Sequence, residues 1–127
     1  MEDLTMNHFA RITAAFRALR AEGIIARQNF KCCMGCGSAA ICSDIKAMPD
    51  AKRAAVKGAV YYSHQDRTGA ENRRGEFSGL YISFGAVPGA ADGSTAKIGE
   101  RLATALRSNG LTVEWDGSES TRVLVAP

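Results

Sequence analysis

Gly79-Leu80-Tyr81-Ile82-Ser83-Phe84, then the run from Thr95 to Asn109, then Leu111-Thr112-Val113-Glu114-Trp115 form the succession that decides the fold class. The first and last pieces alternate apolar and polar residues, the period of a half-buried strand. Between them Ile98, Leu102 and Leu106 recur at helical spacing, with Asn109-Gly110 as a C-terminal stop. Strand, helix and strand in that order predict a parallel crossover within one sheet. Asp116-Gly117 then turns the chain into Thr121 to Val125, which predicts a closing hairpin.

Working outward, Ala59-Val60-Tyr61-Tyr62-Ser63 reads as a further strand and as the antiparallel partner of Gly79 to Phe84. Gln65 to Ser78, with two glycines and Asn72-Arg73-Arg74, has little to bury and predicts a long mobile loop. Gly85 to Ser94 reads as a second loop. At the other end Phe9, Ile12, Phe16 and Leu19 align on one helix face from Asn7 to Glu22, with Thr5 or Asn7 as cap and Gly23 as stop. Ile24 to Phe30 is a short extended segment, Ser38 is placed as the N-cap of a helix over Ala39 to Met48, and Asp50 to Lys57 adds a turn or two. The neighbours other than the crossover are expected to be antiparallel. The class expected is α+β, with a mixed four- to five-stranded sheet and two main helices on one face, in a single domain over residues 1–127.

Composition narrows the function classes. Hydrophobic content of 46% and charged content of 23% suit a water-soluble globule, and no apolar run approaches a membrane span. The net charge of +3 is spread along the chain, with Arg73-Arg74 flanked by Glu71 and Glu76, which argues against a nucleic-acid partner. The opening Met1-Glu2-Asp3 lacks a basic, apolar leader, so a cytoplasmic, reducing location is expected. His8 is read as a surface residue, Trp115 as core, and Arg122 as the partner of Glu114 or Glu119. A small mixed sheet with two edges also leaves room for a homodimer.

The chemistry is concentrated in Asn29-Phe30-Lys31-Cys32-Cys33-Met34-Gly35-Cys36-Gly37-Ser38. Three of the four cysteines lie within five residues, and thiolates are both nucleophiles and soft metal ligands. Three chemistries fit. A zinc site would take Cys33, Cys36, Cys32 and Cys42, or His64 in place of one of them. A thiol-disulfide pair would use Cys33 and Cys36 ahead of a helix. A nucleophilic Cys33 or Cys36 would need His64 as base and Asp66 to orient it. Against these stands plain packing, since small thiols are often buried. The preferred reading is a non-catalytic binding or interaction module whose Cys32-Cys33-x-x-Cys36 turn shapes the surface beside Gln65-Asp66 and is able to hold a metal, zinc being the candidate ion. The redox pair is the alternative.

Residues 21–37, with Gln65-Asp66, Gly79-Leu80-Tyr81, Val113 to Ser118 and Thr121-Arg122, resemble an uncharacterised bacterial family with an F-x-C-C-x-x-C-G motif. The resemblance implies a shared fold and a shared site around the cysteines and Gln65-Asp66, and no reaction. In that family's pattern a histidine precedes the Gln-Asp pair by two places, where this chain has Ser63 and carries His64 one place later. In a strand that shift reverses the side chain's direction. The compact form is similar in style to products of mobile gene cassettes.

Overall fold

The computed structural model describes residues 4–87 and 94–127, with side chains from His8 onward. Five strands form one sheet in the order β1-β2-β3-β5-β4. These are β1 (Ile24–Arg27), β2 (Gly58–Tyr61), β3 (Leu80–Ala86), β4 (Val113–Glu114) and β5 (Val123–Val125). The helices are α1 (Leu4–Ala21), α2 (Met34–Ala47), α3 (Asp50–Ala55), α4 (His64–Gly69) and α5 (Thr95–Ser108). The α+β class and the mixed sheet are as expected.

The crossover read from Gly79 to Trp115 is present in an interleaved form. β5 pairs antiparallel with both β3 and β4, so β3 and β4 run parallel to each other with β5 inserted between them. β2 and β3 are antiparallel, with Tyr61 opposite Ser83, as expected. One pairing departs from expectation: β1 and β2 are parallel, Ile24 opposite Gly58 and Arg27 opposite Tyr61. The α2 and α3 helices form that crossover, since parallel neighbours need a connection long enough to return the chain to the same end.

The main core lies between one sheet face and the α1 and α5 helices. Ile12, Phe16 and Leu19 of α1 and Ile98, Leu102 and Leu106 of α5 bury against Ile24, Val60, Leu80, Ile82, Val123 and Val125. Gly99 is what lets α5 approach the sheet, because a Cβ there would stand 2.6 Å from the Trp115 ring and 2.8 Å from that of Phe84. Trp115 is half-buried in that contact, and its indole N–H donates to the carbonyls of Ser118 and Thr121. The strand period of two turns Ile25, Ala59 and Tyr61 to the opposite face, where they pack with Ile41 and Ile45 of α2. The α2 helix covers the β1–β2 half of that face and leaves the β3–β5 half open.

Three further local expectations are corrected. The α1 helix already runs at Leu4, so neither Thr5 nor Asn7 is its cap. Residues 65–78 are not a plain loop: α4 occupies their start, Ala70 and Phe77 are buried, and Glu71 pairs with Phe77. The isolated Phe77 escapes a periodicity argument, yet it stacks on His8 with ring centroids 4.1 Å apart. His8 is accordingly half-buried and not a purely surface residue. Of the loop expected over Gly85 to Ser94, Gly85 and Ala86 belong to β3, and residues 88–93 lie outside the described residues.

Candidate functional site

Past the ends of β1 and β2 the two chains stay side by side through a series of backbone bonds. Phe30 N–H donates to the Tyr62 carbonyl at 2.9 Å, His64 N–H to Lys31 at 2.8 Å and Gln65 N–H to Cys32 at 3.1 Å. The first amides of α4, which have no partners inside their own helix, thereby hold the cysteine segment. Asn29 and Lys31 take positive φ angles of 49° and 61°, a region unfavourable to residues with a Cβ. Two such residues in three positions turn the chain sharply from β1 into α2.

The sequence placed the cysteines ahead of a helix capped by Ser38; in fact Cys32 and Cys33 lead directly into that helix and Cys36 lies in its first turn. Cys33 is the N-cap, α2 begins at Met34, and Ser38 is already inside it. Tyr61 anchors this turn, its hydroxyl donating to the Met34 carbonyl at 2.8 Å. Gly37 makes the approach possible: a Cβ there would lie 2.7 Å from the Tyr61 ring. The glycine after the third cysteine is therefore a packing requirement of a helix that starts against an aromatic ring.

The sulfurs of Cys32, Cys33 and Cys36 all lie within 4.8 Å of one another, and those of Cys32 and Cys33 are 3.8 Å apart. Adjacent cysteines reach a common centre here with Cys32 just outside the helix and Cys33 its extended N-cap, φ -151° and ψ 171°. Cys32 and Cys36 are exposed and Cys33 is half-buried, all as free thiols, so the packing alternative does not describe them. Cys42 is exposed and stands outside the trio.

The three thiols are electrostatically unequal. Cys33 sits below the ordinary thiol pKa, chiefly through the Cys36 backbone N–H, with the Cys36 and Cys32 thiols and the Gly35 N–H adding to it. The Cys33 sulfur makes no formed capping bond, so these amides act on it through the field of the helix start. Cys36 is pushed up to about 11 by the sulfurs of Cys32 and then Cys33, which it serves as a hydrogen-bond donor. Cys33 is thus more readily ionised than Cys36, its thiolate favoured by donation from its neighbours.

The other proposed site residues have different occupations. Asp66 is bound through both oxygens: Oδ2 accepts from the Ser63 backbone N–H at 3.0 Å and its hydroxyl at 2.9 Å, while Oδ1 accepts from Arg122 at 2.9 Å. With Ser63 Oγ accepting from the Asp66 N–H, this is a capping box for α4. Asp66 therefore positions the α4 start that holds the cysteines and does not orient His64. The His64 ring instead meets the Asn29 side chain, Nδ1 to Oδ1 at 3.1 Å. These contacts remove the Cys-His-Asp triad. Gln65 is exposed and contributes its backbone to the cysteine segment. Arg122 was expected to pair with Glu114 or Glu119; it reaches Asp66 and lies over the Tyr81 ring at 5.1 Å. Sequence reading missed this bond because its partners are 56 positions apart.

What fold and geometry define together is a small α+β domain carrying an exposed three-thiol cluster on a helix start. The chain belongs to the family described as Domain of unknown function (DUF6891), whose model matches residues 5–127. No curated protein and no solved structure matches the chain. Among the described residues no helix is long and apolar enough to cross a membrane.

Proposed function

We propose that the protein is a non-catalytic binding module, a single domain whose Cys32, Cys33 and Cys36 thiolates hold a soft metal ion, with zinc the best fit. The convergence of the three sulfurs within 4.8 Å carries this reading. A tetrahedral zinc with Zn–S bonds of about 2.3 Å sets its sulfurs roughly 3.8 Å apart. Cys32 and Cys33 already stand at 3.8 Å, and the remaining pairs need to close by no more than about an ångström. Thiolate donors favour zinc or copper(I) over hard cations. Cys42 and His64 lie outside the cluster, so a fourth position would be filled from solvent or by a partner's donor group.

Untagged protein should carry near-stoichiometric zinc, or take it up from a chromophoric chelator. Cys32→Ser, Cys33→Ser and Cys36→Ser should each lower that content, while Cys42→Ser leaves it unchanged. A folded protein that neither retains zinc nor competes for it would overturn the reading.

A second reading rests on a separate geometric fact, that Cys33 is the N-cap of α2 with Cys36 in the same first turn. In it the Cys33 thiolate attacks a disulfide of a partner and releases one partner thiolate. The Cys36 thiol, losing its proton to solvent, then closes a Cys33–Cys36 disulfide and frees the second. The partner is reduced and the pair oxidised by two electrons. Metal-free protein whose Cys33–Cys36 pair equilibrates with glutathione would favour this reading over the first.

A further inference from the structure

Three independent oddities of the described residues meet in one place. The large hydrophobic side chains left exposed are Met34 and Tyr81, at 47% and 50%. The buried side-chain polar atom without a hydrogen-bond partner is Ser83 Oγ, in a residue 7% exposed. All three line a cleft of about 880 Å³ between α2 and the uncovered β3–β5 half of the sheet. Such a volume suits a small molecule, and the walls are mostly apolar, with Ile41 and Ile45 of α2 and Val87 among them.

Ser83 is the informative residue. It sits opposite Tyr61 in the β2–β3 register, so its side chain emerges on the same face as Tyr61, beneath the cleft. A buried hydroxyl left without a partner destabilises the fold relative to an apolar residue of like size. A polar group placed there at a loss to the fold is explained if something in the cleft completes its bonding. The charge of the cleft restricts what that is. Its charged lining residues are Arg122 and Glu119, one of each sign, and Arg122 is already bonded to Asp66. An anionic ligand would find no uncompensated cation there, since Arg122 is taken by Asp66 and Glu119 adds a negative charge. The Tyr81 ring and the Met34 thioether are flat and polarisable surfaces suited to a π-system.

We propose that this cleft is a binding site for a flat, mainly apolar small molecule without negative charge that presents one hydrogen-bonding group to Ser83. It is independent of the cysteine cluster: the metal reading can fail while this one stands, and the reverse.

The probes are N-phenylnaphthylamine, which is neutral and carries one N–H, and its sulfonated analogue, anilinonaphthalene sulfonate, which adds a negative charge to the same rings. Added to native full-length protein, the neutral probe should brighten saturably, with one probe per chain. The sulfonate should bind roughly tenfold more weakly. Ser83→Ala should weaken the neutral probe by roughly threefold to tenfold while the variant melts no lower than the parent, because the orphaned hydroxyl is gone. Cys42→Trp, at an exposed position on the α2 wall, should fill the cleft and abolish binding without unfolding the chain. Unchanged probe binding in folded Cys42→Trp overturns the site. Equal affinity for the two probes overturns the exclusion of negative charge, and full affinity in Ser83→Ala overturns the role given to that hydroxyl.

Discussion

Replacing Gly37 by alanine puts the helix start and the sheet into direct conflict. The new Cβ would stand 2.7 Å from Tyr61 Cε2 and 3.0 Å from Cδ2, well inside the separation of about 3.5–4.0 Å at which carbon atoms attract. Tyr61 has nowhere easy to go. It is buried between α2 and the sheet, with its hydroxyl tied to the Met34 carbonyl. Overpacking of this kind costs about 1–3 kcal/mol, and loss of the tyrosine bond adds about 1 kcal/mol. Alanine's better helix propensity offsets about 1 kcal/mol. The net expectation is a loss of about 1–3 kcal/mol. For a chain of 127 residues that corresponds to a melting temperature lower by about 4 °C per kcal/mol. Urea titration followed by tryptophan fluorescence gives the value, with an unchanged m-value showing that the unfolded reference is the same. The same substitution in a Tyr61→Ala background, where the ring is absent, should stabilise by about 0.5–1 kcal/mol. If Gly37→Ala stabilises the parent as well, Gly37 is an ordinary helical glycine and the account of how α2 seats on Tyr61 is wrong.

Further outcomes follow from other contacts. Cys33 should alkylate first in an iodoacetamide time course, with its rate holding up as pH falls below the usual thiol range, and Cys36 should be the slowest of the trio until pH approaches 11. Changing Cys32 to serine should bring the Cys36 rate profile back toward lower pH, and peptide mass mapping would expose a failure by showing an unmoved profile. Burial pushes the Tyr62 hydroxyl up to about 12, so below the usual phenol range the folded and unfolded chains are both neutral there. Between pH about 10 and 12 only the unfolded chain ionises, and stability falls through that window. Tyr62→Phe should lose roughly 1 kcal/mol at neutral pH, from the bond its hydroxyl gives Gln28, yet show less base sensitivity than the parent. Asp66→Ala should cost about 1–2 kcal/mol as a lost cap, whereas Arg122→Ala, on the more exposed side of that pair, should cost under about 1 kcal/mol. Chemical denaturation of the two single variants and the double would sink this if arginine proved the more costly loss.

The elements that could be read from the chain are those whose signal is local and repeated. The apolar stripes of α1 and α5 and the alternation through Leu80 to Phe84 needed no knowledge of distant residues, because helix and strand periods select one face directly. The glycine and cysteine content of residues 32–37 likewise announced a chemically active turn before any coordinates. Tertiary structure decided how that turn is used. Whether Cys32 and Cys33 converge or diverge depends on the backbone between them, where an extended Cys33 follows a Cys32 carbonyl held by the Gln65 amide of α4. Asp66 looked like a site residue until Arg122 arrived from the far end of the chain to bind it. The parallel β1–β2 pair, the burial of Phe77 and the unpartnered hydroxyl of Ser83 belong to the same class of fact. Each is a relation between segments whose local preferences are satisfied either way, so only the packed chain, which must place every polar and apolar group at once, chooses among them.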